Sequence, residues 1–297
     1  MKRLTIIHAL RLVATLTLCL AAGCASKPQA NKEGSLLIGG QTLKELIPTA
    51  ERERIDRTFQ AGYRGNLLIA QAMGTEIARR QRLAVSASDV YMAQPEAQRA
   101  HLAGWLVTRK SGKLEVLFIA KDATGAPHVV AIARSADQAK PRLDTLQSPR
   151  ALTDSETALW QARGLAFTAK ITPCTKSYHP VIIPVEAAGK KQIFVYLLPL
   201  APAGTMMLGG YYRIKTNASG LQILDTHGYT RSCLKMQRNP KAVGIAVTEN
   251  ESPTPTAPQV YANLRYGLPV YVTTSKNNMQ WKIEQGHIKP LKKPVGQ

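Results

Sequence analysis

The sequence predicts an α+β protein: N-terminal helices, an antiparallel β meander, then a strand-rich C-terminal domain. Three observations carry that expectation. Apolar residues from Thr42 to Ile77 recur mostly three or four positions apart, the period shifts toward two beyond Gly104, and short glycine-bearing turns separate the period-two segments.

Taking the elements in order, Leu43, Leu46 and Ile47 open a helical stretch that Pro48 interrupts, and Ile55, Phe59, Tyr63, Leu67, Met73 and Ile77 continue one apolar stripe. Gly62, Gly65 and Gly74 weaken that helix and predict a kink or two shorter helices. Arg52, Arg54, Arg57, Arg64, Arg79, Arg80 and Arg82 fill the remainder and read as a solvated basic face, with a footing on anionic lipid headgroups as the alternative. Segments at 105–108, 114–120 and 127–133, parted by turns at Gly112 and Gly125, form the meander. Polar residues 135–150, with Pro141 and Pro149, read as a linker. Thr153 and Glu156 have capping-box spacing ahead of a helix carrying Ala158, Leu159, Ala162 and Leu165. Beyond it, 180–185 pairs with 192–198, 207–224 folds back on itself at Asn217 to Gly220, and 270–273 pairs with 279–284. Pro253, Pro255 and Pro258 mark a rigid turn before the Tyr261 to Tyr266 element, and the tail from Lys289 reads as loose.

The chain has 297 residues, 44% of them hydrophobic, with 39 Lys+Arg against 19 Asp+Glu for a net charge of +20. That composition excludes a disordered chain. A polytopic membrane protein is excluded too, because no apolar run past the first two dozen residues approaches the roughly 20 that span a bilayer.

At the N-terminus, Lys2, Arg3 and Arg11 lead into the apolar Leu12 to Leu20 and the small residues Ala21, Ala22 and Gly23, a signal-peptide pattern. Ala21-Ala22-Gly23-Cys24 resembles the lipobox of bacterial lipoproteins, although Ala21 stands where that family prefers Leu. The resemblance implies cleavage before Cys24, lipidation of Cys24, and, since no Asp follows it, an outer-membrane anchor facing the periplasm. Plain secretion with cleavage near Ala22 is the competing reading. The organisation expected is therefore a signal peptide (1–23), a lipidated tether (24–40), helices with the meander (41–150), and a basic strand-rich domain (151–297).

The mature chain would keep Cys174 and Cys233, which in an oxidising compartment read as one disulfide. A loop of about 60 residues closed this way is worth roughly 4 kcal/mol on the chain-entropy account. The alternative is a thiol nucleophile helped by His179, five residues after Cys174, or His227, six before Cys233. His101, His128, His179, His227 and His287 are scattered without metal-ligand spacing, so no metal and no cofactor is expected. Asp225 is a further candidate in a half with few carboxylates, but no motif singles it out. The C-terminal half, with Gly209-Gly-Tyr-Tyr-Arg213 and the Trp281 strand, loosely resembles secreted bacterial proteins of unknown function, which brings no activity with it.

Removing residues 1–23 leaves +17, and the chain beyond residue 157 carries +12 of it, with five acids against 17 bases. Net charge bears on association and not on fold. Nucleic acid is scarce in a periplasm, so anionic lipid, an anionic envelope polymer or an acidic protein fits better. The function expected is a binding or structural role in an envelope assembly. Its alternatives are a periplasmic hydrolase of envelope material, with His179, His227 or Asp225 in the site, and an immunity or inhibitor protein.

Overall fold

A computed structural model describes residues 36–96, 102–135, 140–230 and 232–291. The expected signal peptide, Cys24, His101 and the end of the tail lie outside these residues. Strands β1 (Leu36–Ile38) and β2 (Gln41–Thr42) turn on Gly39 and Gly40. The last residues assigned to the tether are thus part of a sheet, because Leu36, Leu37 and Ile38 pair with Ala187, Glu186 and Val185.

Thr42 caps the single turn α1 (Leu43–Leu46) with a reciprocal Thr42–Glu45 capping box. Helix α2 (Thr49–Thr58) follows Pro48, and the extended conformations of Phe59 and Gln60 separate it from α3 (Ala61–Met92). The expected break therefore falls ahead of the glycines. Helix α3 then runs 32 residues, about 48 Å at 1.5 Å per residue. Gly74 does not interrupt it. A Cβ there would lie 2.5 Å from Val260 Cβ and 2.7 Å from the Ala257 carbonyl oxygen, so the glycine permits a close helix crossing.

The meander comprises β3 (Leu102–Lys110), β4 (Lys113–Lys121) and β5 (Pro127–Arg134), with β6 (Arg142–Ala151) added at its edge. The segment expected as a linker is a strand. Pro141 precedes the strand, and Pro149 is tolerated because pairing jumps from Val129 opposite Arg150 to Ala131 opposite Thr145, leaving it outside the ladder. Helix α4 (Asp154–Ala166) begins with the expected Thr153–Glu156 capping box.

The remaining strands are β7 (Tyr178–Ala187), β8 (Lys190–Pro199), β9 (Thr205–Met207), β10 (Tyr212–Asn217), β11 (Ile223–Gly228), β12 (Lys235–Gln237) and β13 (Ile245–Glu249). Helix α5 (Ala257–Tyr266) connects β13 to β14 (Val270–Thr274), which lies parallel to it, and β15 (Met279–Glu284) and β16 (His287–Pro290) finish that sheet. Lys289, expected in a loose tail, is in β16 opposite Lys282.

A six-stranded antiparallel sheet, ordered β11–β10–β8–β7–β1–β2, is central. One face carries Ile182, Val195, Leu197 and Ile214 against Leu159, Ala162 and Ala166 of α4. The other carries Val181, Ile183 and Leu198 against Leu67, Met73 and Ile77 of α3, with Val260 of α5 and Trp281 of β15 in the same cluster. This core unites residues on both sides of position 150. The last turns of α3 belong elsewhere: Ala84, Ala87 and Tyr91 pack on Val116 and Phe118 of the four-stranded meander.

Candidate functional site

Cys174 and Cys233 are joined in a disulfide, with Cα atoms 5.3 Å apart. Both sulfurs are consumed, so neither is a nucleophile in this state. The bridge ties the approach to β7 to the base of a segment in which every residue from Ser232 to Lys241 is exposed. That segment is held by backbone bonds as well: β12 pairs with β9, Leu208 N–H donates to Leu234 at 2.8 Å, and Arg238 N–H donates to Gly204 at 2.8 Å. Met206 and Met207 are buried beneath, whereas Leu234 and Met236 are exposed and Val243 is 89% exposed. Lys235, Arg238 and Lys241 stand among them, and no acidic residue occurs between Asp225 and Glu249.

Asp225 and His227 project from one face of β11, two residues apart. Asp225 accepts from Arg213 Nη2 at 2.8 Å, and the Arg213 guanidinium lies 5.2 Å from the centre of the Phe194 ring. The His227 ring meets Tyr229 edge-on at 4.7 Å. Burial and then Arg213 hold His227 below the usual imidazole range, opposed by Asp225, Glu249 and Glu251.

His179 is elsewhere. It sits on β7, and since β8 and β10 intervene, it lies about 14 Å or more from His227 at the usual strand spacing. It is 9% exposed and its ring is 5.5 Å from that of Trp105. Burial, reinforced by Arg163 and Arg265, pushes it down to about 4, which makes it a neutral core histidine. The candidate residues thus occupy two places instead of one.

A third place was hidden in the basic stripe of α3. Arg80, expected on a solvated face, is 1% exposed and Glu76 is fully buried. Arg80 Nε donates to Glu76 Oε1 at 2.7 Å, and Nη1 donates to the carbonyls of Val107 (2.5 Å) and Ile182 (3.2 Å). Arg109 adds Nη2 to both Glu76 oxygens, at 2.9 and 3.0 Å, and Nε to the Gly39 carbonyl at 3.0 Å. Gly39, at φ +59°, lies directly over the pair; a Cβ there would sit 2.6 Å from Glu76 Oε1 and 2.8 Å from Arg80 Nη2. Burial pulls Arg80 below the usual guanidinium range, and Glu76 opposes that shift. The signal available in sequence was Glu76 four residues before Arg80 on one helix face. Arg80 and Arg109 line a cavity of about 770 Å³ bounded by the Gly39–Gly40 turn, β3 and the start of α4.

Among the described residues no group of three His, Cys, Asp or Glu side chains is placed to hold a metal ion, and no helix is long and apolar enough to cross a membrane. No protein-family model matches the chain, and neither a curated protein nor a solved structure matches it.

Proposed function

We propose that the protein is a lipid-anchored, periplasm-facing component of the outer membrane that acts by binding, and that segment 232–243 is the surface it presents to anionic lipid headgroups. The observation that carries this reading is that every residue from Ser232 to Lys241 is exposed, with three basic residues, Leu234 and Met236 each 38% exposed, and no acid in the run. Basic residues near an anionic leaflet contribute about 1 kcal/mol each. Exposed aliphatic side chains beside them add by entering the headgroup boundary. The disulfide and the β9–β12 pairing order the segment beforehand, so less entropy is lost on contact. Cys24, in its lipobox-like Ala-Ala-Gly-Cys, supplies the anchor in this proposal.

Two measurements test it. Cys24→Ala is expected to move the protein from the membrane fraction to the soluble periplasm. The Cys24→Ala chain is then compared with the same chain carrying Lys235→Glu, Arg238→Glu and Lys241→Glu, by flotation with phosphatidylglycerol-containing and with neutral vesicles. At low salt the three reversals are expected to weaken binding to anionic vesicles by on the order of 100-fold. Equal flotation of the two chains overturns the assigned surface, and unchanged fractionation overturns the anchor.

A further inference from the structure

The geometry points to a binding site for a small anionic ligand, a carboxylate or phosphate flanked by a hydrogen-bond donor, in the cavity beneath the Gly39–Gly40 turn with Arg80 as its floor. At about 770 Å³ the cavity has the size of a small-molecule site. It is independent of the exposed segment and of the membrane reading.

Charge balance is the first argument. Two guanidiniums, Arg80 and Arg109, share the one carboxylate of Glu76. Buried charges are ordinarily matched, and here one positive charge is left over at the cavity wall. Arg109 is engaged at every nitrogen, with Nε on Gly39, Nη1 on Gly112 and Nη2 on Glu76. Arg80 is not: its Nε and Nη1 are engaged, while Nη2 has no hydrogen-bond partner among the described residues. A nearly sealed guanidinium with one unoccupied nitrogen on a cavity is a receptor for an oxyanion.

The rim offsets that charge only in part. Glu115 is paired with Arg134 and Glu156 with Arg150, whereas Glu45 is bonded to the neutral Thr42 amide and hydroxyl and keeps its charge in the field of Arg109. Lys110 lines the same cavity, is exposed, and makes no ion pair among the described residues. The first turn of α4 also borders it, at Thr153 and Ser155.

Two orphaned atoms lie in the same wall. Gln41 Oε1 and Thr108 Oγ1 are buried without a hydrogen-bond partner, and both residues line the cavity. A carboxamide oxygen can only accept. The ligand therefore carries a hydroxyl or N–H close to its anionic group, as a hydroxy acid, a peptide end or a sugar phosphate does.

The test follows the thermal midpoint of the full-length chain against concentration of sodium glycolate and of inorganic phosphate, with sodium chloride at matched ionic strength as reference. A ligand that binds only the native state raises the midpoint saturably. Arg80→Met strips Glu76 of its inner partner and destabilises the fold by itself, so the variants used are Lys110→Glu and Thr108→Val. Lys110→Glu is expected to weaken the apparent affinity about tenfold, and Thr108→Val, which removes a buried hydroxyl that has no protein partner, is expected to raise the unliganded midpoint while weakening the affinity. Saturation by glycolate alone assigns a carboxylate ligand, and saturation by phosphate alone assigns a phosphorylated one. Saturation by neither, or an affinity indifferent to Lys110→Glu, overturns the site.

Discussion

Glu76 and Arg80, one turn apart on α3, form an ion pair at 2.7 Å with side chains 0% and 1% exposed, and Arg109 closes on the same carboxylate from β3. Removing one member of such a set leaves the others charged and out of water. Glu76→Gln keeps the shape and is expected to cost about 3–5 kcal/mol, read from the urea midpoint at constant m-value. An effect under 1 kcal/mol would mean that water reaches the two guanidiniums.

Breaking the Cys174–Cys233 bridge acts mainly on the unfolded chain. The double variant Cys174→Ser, Cys233→Ser is expected to lose roughly 4 kcal/mol, and the oxidised wild type should show no free thiol at either position by mass-spectrometric labelling.

Gly74→Ala sets helix propensity, about 1 kcal/mol in favour of Ala, against a Cβ 2.7 Å from the Ala257 backbone oxygen and 2.5 Å from Val260 Cβ. The oxygen cannot turn aside as a flexible side chain would. A net loss of about 1–3 kcal/mol is expected, visible as a lower thermal midpoint that Val260→Ala in the same chain recovers in part.

His179 ties stability to pH. Its folded value is pushed from 6.5 to about 4, chiefly by burial, so between those values the unfolded chain binds the extra proton. Stability is therefore retained above pH 6.5 and lost as pH falls toward 4, by up to about 3 kcal/mol. Chemical denaturation across pH 4–7 checks this, and His179→Gln should flatten the curve in that window.

Patterns local to a few residues were legible from sequence. The Thr153–Glu156 box, the hairpins closed at Ala188 to Lys190 and Ser275 to Asn278, and the pairing of two cysteines all depend on near neighbours or on a chain with one pairing to make. What stayed hidden depends on distant partners. β6 is polar because it is an edge strand, and Pro149 reads as a linker residue although the ladder passes over it. Leu36 to Ile38 became a strand only through β7, about 150 positions further on. Arg80 shared its helix with exposed arginines at 79 and 82, and period alone does not say which of them the meander will cover. His179 and His227 were equal candidates in sequence, and the sheet order put two strands between them.

Helix α3 has a further consequence for how the molecule comes apart. Its early turns belong to the core of the six-stranded sheet and its late turns to the meander, where Tyr91 stacks on Phe118 at 4.3 Å. A rod that is mortar for both walls cannot be withdrawn from one and left in the other, so the meander and the central sheet are expected to melt together.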